Sequence, residues 1–195
     1  MINNYKNLRK YLVFGQNGDT FYDIQIIKRR GDNPDLPRNS HTIKRYYIGS
    51  LDEFDNRLDE MITIATATNS RIYINVNRRS YSQIAREMLI SVPNGFVNGS
   101  FKKMSNIYSS LVGKHSAESR STKTWVIDVD TKDTEKLQTV VDWISEKYGE
   151  NVIKDVLPTK NGFHILTSVF RIDVYEDMFP QHEIKKDGLT ILYIP

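Results

Sequence analysis

The stretch Trp125-Val-Ile-Asp-Val-Asp130 constrains this chain more than any other. It reads as a strand that stays apolar until its end and then presents two acids. In period-2 geometry Trp125, Ile127 and Val129 face one side, while Asp128 and Asp130 share the other. Carboxylates about 7 Å apart on one face repel each other unless a cation or a proton stands between them. A hard divalent ion such as Mg²⁺ takes oxygen ligands of this kind and keeps room for phosphate and water. The stretch is therefore read either as a metal site for phosphoryl or nucleotidyl transfer, or as a strand end with two solvated acids.

The surrounding chain narrows the choice. Its 195 residues, 39% hydrophobic and 26% charged, suffice for one core of ordinary size. No apolar run approaches the ~20 residues of a membrane span, and the N-terminal Met-Ile-Asn-Asn-Tyr-Lys has no hydrophobic signal core. A cytoplasmic protein with no membrane partner is expected. With 0 cysteines, disulfides, thiol chemistry and cysteine-ligated zinc are excluded. The net charge of +3 is unevenly spread. Residues 1–70 carry 10 Lys/Arg against 9 Asp/Glu, residues 71–124 carry 9 against 2, and residues 125–195 carry 8 against 13. A basic middle beside an acidic end suits a chain that holds a polyanion with one part and metal with another. Ordinary solvated surface charge is the alternative.

Segments 11–14, 21–28 and 43–48 are rich in β-branched and aromatic residues and read as strands. The last two flank a polar loop, 29–39, punctuated by Gly31, Pro34 and Pro37. Ser50 with Glu53, and Ser80 with Gln83, have the spacing of capping boxes and open two helices. Residues 71–77 form the strand between them, with Arg78 and Arg79 at the following turn, where a phosphate could meet a helix N-terminus. From 93 to 124 the sequence reads as irregular, and Lys114, His115, Ser116, Arg120 and Lys123 could grip a triphosphate or a nucleic-acid backbone. Gly113-Lys114 is not a P-loop, because the upstream glycine is missing and His115 stands where Ser or Thr is needed.

After Asp130 a helix capped at Asp133 or Thr134 runs to Gly149. Strands follow at 152–157 and 163–167, then a short helix within 170–186 broken by Pro180, then a strand over 189–194. The order β-α-β-β-(α)-β is that of an RRM or ferredoxin-like unit. The expected fold is α+β, with an N-terminal αβ unit over 1–124 packed on an RRM-like unit over 125–195 in one compact domain. In that topology the first strand is central, and its acids meet His164 and Asp187 at the starts of the third and fourth strands. A lone strand histidine is more often a satisfied core residue, but this one is expected beside two carboxylates.

These residues resemble the archaeo-eukaryotic primase superfamily, which includes primase-polymerases of phages and plasmids. Its first motif, an apolar strand ending in Asp-x-Asp, is matched by Val126-Ile-Asp-Val-Asp130. Its second, a small residue, one more and a histidine, is matched by Gly162-Phe-His164. Its third, a single acid at a later strand, is matched by Asp187, with Glu183 as a rival. The resemblance spans roughly residues 71–195. It implies a DNA primase or primase-polymerase in which Asp128, Asp130 and Asp187 bind Mg²⁺ or Mn²⁺ and His164 contacts the phosphates of a nucleoside triphosphate. Lys160, Lys114 and Ser116 become nucleotide-binding candidates. Arg78, Arg79, Arg120 and Lys123 become candidates for binding single-stranded DNA template, with a replicative helicase or another accessory chain as a further partner. Two other functions compete: a different metal-dependent nucleotidyl transferase or nuclease, and a non-catalytic RRM-like nucleic-acid-binding module.

Overall fold

A computed structural model describes all residues, Met1–Pro195. The chain runs through β1 (Ile2–Asn3), α1 (Tyr5–Arg9), β2 (Thr20–Arg29), β3 (Ser40–Ile48), α2 (Leu51–Ala67), β4 (Arg71–Asn75), β5 (Arg79–Ser80) and α3 (Tyr81–Val97). It continues through α4 (Phe101–Met104), α5 (Ile107–Lys114), β6 (Thr124–Val129), α6 (Thr134–Tyr148), β7 (Ile153–Pro158), β8 (Phe163–Ser168), α7 (Asp173–Met178), β9 (Glu183–Lys185) and β10 (Leu189–Ile194). The fold is α+β, with seven helices and two sheets in which every strand pair is antiparallel.

The helix starts follow their caps. Ser50 Oγ accepts from the Glu53 amide, Ser80 Oγ from the Gln83 amide, and the Asp133 carboxylate from the amides of Glu135 and Lys136. Two sequence expectations fail, the strand at 11–14 and the irregular stretch from 93. Residues 11–14 form no strand, because β2 already has β3 on one side and β4 and β5 on the other. Pro93 does not end its helix, which continues to Val97. The carbonyl it leaves without an amide partner belongs to Leu89, whose turn is solvent-exposed and can give that oxygen to water. The segment 93–124 also holds α4 and α5, so it is less irregular than its composition suggests.

The first sheet has the order β1-β10-β4-β2-β3, with β5 also paired to β2. The second has the order β7-β8-β6-β9. The main correction concerns the last strand. β10 pairs with β4 and β1 in the first sheet, and three-residue β9 takes the place beside β6. Leu189–Ile194 therefore belongs to the first sheet, and the second sheet takes its fourth strand from Glu183–Lys185. β10 is buried from Thr190 to Tyr193, as a strand covered on both faces must be, and β4 offers it a full edge.

The two faces of β6 separate as their alternation predicts. Trp125, Ile127 and Val129 pack with Val140 and Ile144 of α6 and with Phe170 and Tyr175. Val126, with Leu157 and Leu166, instead joins the core of Ile24, Ile72, Ile74 and Leu192 from the first sheet. The acids thus lie on the face of the second sheet that meets the first. The Asn4 amide ties the sheets together, donating to the carbonyls of Pro158 and Ile191 at 3.0 Å each.

Candidate active site

Register builds the site. On β6, Asp128 stands directly opposite His164 of β8 on one side and Glu183 of β9 on the other. Residues directly opposite in a sheet share a face, so His164, Asp128 and Glu183 form a row across three strands. Asp130 extends the row past the end of β6 and is exposed.

Gly162 fixes the distance between β8 and the end of β6. A Cβ there would stand 2.0 Å from the Val129 carbonyl oxygen and 2.7 Å from the Thr131 nitrogen, both backbone atoms. Only glycine lets the β7–β8 turn lie this close to the strand that carries the acids. Two residues on, His164 is buried, and its Nε2 is 3.4 Å from Asp128 Oδ1. Its Nδ1 is 2.8 Å from Oγ1 of Thr190, a wholly buried residue on β10. The histidine is held between the two sheets, with a hydroxyl against one ring nitrogen and a carboxylate near the other.

Lys185 Nζ donates to Asp128 Oδ2 at 2.5 Å and lies 3.4 Å from Glu183 Oε2. Burial alone would push the Asp128 carboxyl up, but His164 and Lys185 outweigh it and hold the acid well below the usual carboxylate range. Lys185 mirrors this: burial disfavours its charge, yet Asp128 and Glu183 keep its pKa raised. Asp128 is thus fully ionised at neutral pH, with an ammonium against it.

Asp128, Asp130, His164 and Lys185 line one side of a cleft of about 260 Å³. The β7–β8 turn contributes Thr159, Lys160 and Asn161, and the first sheet contributes Arg29, Arg71, Tyr73, Leu189 and Ile191. Four cations, Arg29, Arg71, Lys160 and Lys185, therefore line the same cleft as Asp128 and Asp130. Arg71, Lys185 and Thr190 carry no mark in the sequence, and Arg29, whose loop arginines could touch phosphate, reads there first as part of an exposed loop. The only local signal was a basic residue beginning or ending a strand, or a hydroxyl in an aliphatic run, and neither is distinctive.

Asp187 does not join the acids. β9 runs antiparallel to β6, so residues after Glu183 travel back toward Thr124, about 20 Å from Asp130 along the strand. There the Asp187 carboxylate accepts from Arg79 Nη1 at 3.0 Å and Asn77 Nδ2 at 3.2 Å, with Lys123 Nζ 3.7 Å away. Glu183 is the acid that the register places opposite Asp128. Glu183 is itself exposed, and no three acid or histidine side chains stand close enough to hold an ion as placed. Asp128, Asp130 and Glu183 nevertheless supply hard oxygen donors on one face, which suit Mg²⁺ or Mn²⁺ in kind.

The basic candidates divide in the same way. Arg79 is wholly buried, bonded to Asp187 and to the carbonyls of Val112 and Asn77, so it is a core residue and not a nucleic-acid contact. Arg78 is committed to Glu118 at 2.5 Å. Ser116 Oγ accepts from the Glu118 amide and serves a turn. Lys114 and Arg120 are exposed, but neither they nor Ser116 and Lys123 line the acid cleft. Of the basic residues selected from sequence, Lys160 alone reaches it. Asn77, unmarked in the sequence, pairs with Thr124 through both ends of its amide and stitches the start of β6 to the β4–β5 turn.

No family model, curated protein or solved structure matches the chain.

Proposed function

We propose that the chain is a template-directed nucleotidyl transferase of the DNA primase or primase-polymerase type, using nucleoside triphosphates and a divalent ion. The observation that carries this reading is that Asp128 and His164, in register on neighbouring strands, line with Asp130 a cleft that also holds four cations, while Glu183 stands opposite Asp128 on its other side. Acids on one wall and cations around them suit a substrate with a polyanionic tail and a reacting phosphate. The order β7-β8-β6-β9, with α6 and α7 as the crossovers, agrees with an RRM or ferredoxin-like catalytic unit.

Asp128, Asp130 and Glu183 would hold Mg²⁺ or Mn²⁺, with Lys185 turning away from Asp128. When bound, such an ion neutralises charge developing on the attacking and leaving oxygens of a phosphoryl transfer. His164, pinned by Thr190, would present a ring N–H to a phosphate oxygen. Lys160 and Arg71 would face the tail. Exposed Arg120 and Lys114 remain available to a DNA backbone, which would make binding salt-dependent and tolerant of sequence.

The test is nucleotide incorporation on single-stranded DNA, with and without primer, in Mg²⁺ and in Mn²⁺. Synthesis is expected in the wild type and lost in Asp128→Ala/Asp130→Ala. Strand cleavage or untemplated turnover would point to the nuclease or transferase alternative. DNA binding that survives chelation and loss of both acids, with no synthesis, would make the chain a binding module.

A further inference from the structure

Two of the four cleft cations are already engaged by one carboxylate. Asp32, in the loop between β2 and β3, accepts from Arg71 Nε at 2.6 Å and Arg71 Nη2 at 3.0 Å, and also from Lys160 Nζ. Its side chain is only 10% exposed and that of Arg71 only 15%, whereas Lys160 is 47% exposed. This is a guanidinium fork plus an ammonium closed around one planar anion, the same set of donors that recognises a phosphate group. The turn carrying Asp32 is fixed through its backbone: the Asp32 amide donates to the Arg29 carbonyl at 3.0 Å, and Asn69 Nδ2 donates to the Asp32 carbonyl at 2.9 Å. The carboxylate therefore stays in place, and the cations are the groups that can turn, Lys160 most freely. Arg71 chiefly, with Lys160, holds Asp32 below the usual carboxylate range, so its charge persists at neutral pH.

We propose that Arg71 and Lys160 form a binding site for the phosphate tail of the cleft's ligand, and that Asp32 is a built-in competitor for both cations. A polyphosphate entering beside Asp128 and His164 has to draw the fork and the ammonium away from Asp32. Asp32 thereby weakens retention of any anion too short to engage both cations, favouring a triphosphate over a monophosphate. The site rests on the nucleotidyl-transfer reading only for the identity of its ligand, a nucleoside triphosphate.

The experiment is titration of inorganic tripolyphosphate into the 195-residue chain without divalent ions, for the wild type, Asp32→Asn and Lys160→Gln. Asp32→Asn is expected to bind about tenfold tighter, and Lys160→Gln at least about fivefold weaker. Tripolyphosphate affinity that is unchanged or lower in a folded Asp32→Asn overturns the competitor. Unchanged affinity in Lys160→Gln, whose half-exposed side chain the fold does not need, overturns the site. Tighter tripolyphosphate binding in Asp32→Asn by a chain that never incorporates nucleotides would support the anion site while refuting the proposed function.

Discussion

Replacing Gly162 with alanine tests how the site is held together. The new Cβ would begin 2.0 Å from the Val129 carbonyl oxygen, at least 1.0 Å inside the 3.0 Å that real Cβ atoms keep. Both atoms belong to backbone in regular or tightly bonded structure, so no side chain can swing aside. The β7–β8 turn has to retreat by about that distance. His164 follows two residues later, and its 2.8 Å contact with Thr190 then exceeds hydrogen-bonding range. Overpacking of this kind costs about 1–3 kcal/mol and the lost hydrogen bond about 1 more. For a chain of this size the sum lowers Tm by about 5–15 °C. Calorimetry measures the shift, and the ring ¹⁵N resonances of His164 report whether its two partners are lost. A Tm within about 1 °C of wild type, with unmoved His164 resonances, would refute the claim that Gly162 sets the distance between β8 and the acids.

Other outcomes follow from the same geometry. Asp187→Ala leaves the wholly buried Arg79 without its carboxylate and should destabilise the chain by about 2–4 kcal/mol in denaturant unfolding. Asp130→Ala, at an exposed position, should change stability by less than about 0.5 kcal/mol; equal effects would contradict the structural role given to Asp187. His182 is held neutral chiefly by burial, which lowers its pKa against the opposing pull of Asp128 and Asp130, and its Nδ1 is 2.7 Å from the Tyr175 hydroxyl. Its unfolded form takes a proton near pH 6.5 while the folded form resists, so stability present above that pH is lost as pH falls toward 5. His182→Gln should flatten the slope of Tm between pH 7.5 and 5.5, and an unchanged slope would assign it to other groups.

Much of the site could be read directly from sequence, because its components are local. Alternation alone separates the acids of β6 from its apolar face, since strand period is a property of the backbone. Ser50, Ser80 and Asp133 mark their helices because a cap needs only its own next turn. The pairing of Asp128 with His164 required that β6 and β8 be neighbours in the register their apolar alternation favours. What the sequence could not decide was which strand takes which edge. Leu189–Ile194 is apolar enough for either sheet, and its choice of β4 removes Asp187 from the acids, leaves Glu183 opposite Asp128 and brings Thr190 to His164. The cleft cations are equally non-local: Arg71 and Lys160 are 89 positions apart and meet at Asp32 only after the two sheets pack. Local periodicity determined the elements and the face that carries the acids; long-range strand pairing, in which many partners are nearly equal in local energy, determined what that face confronts.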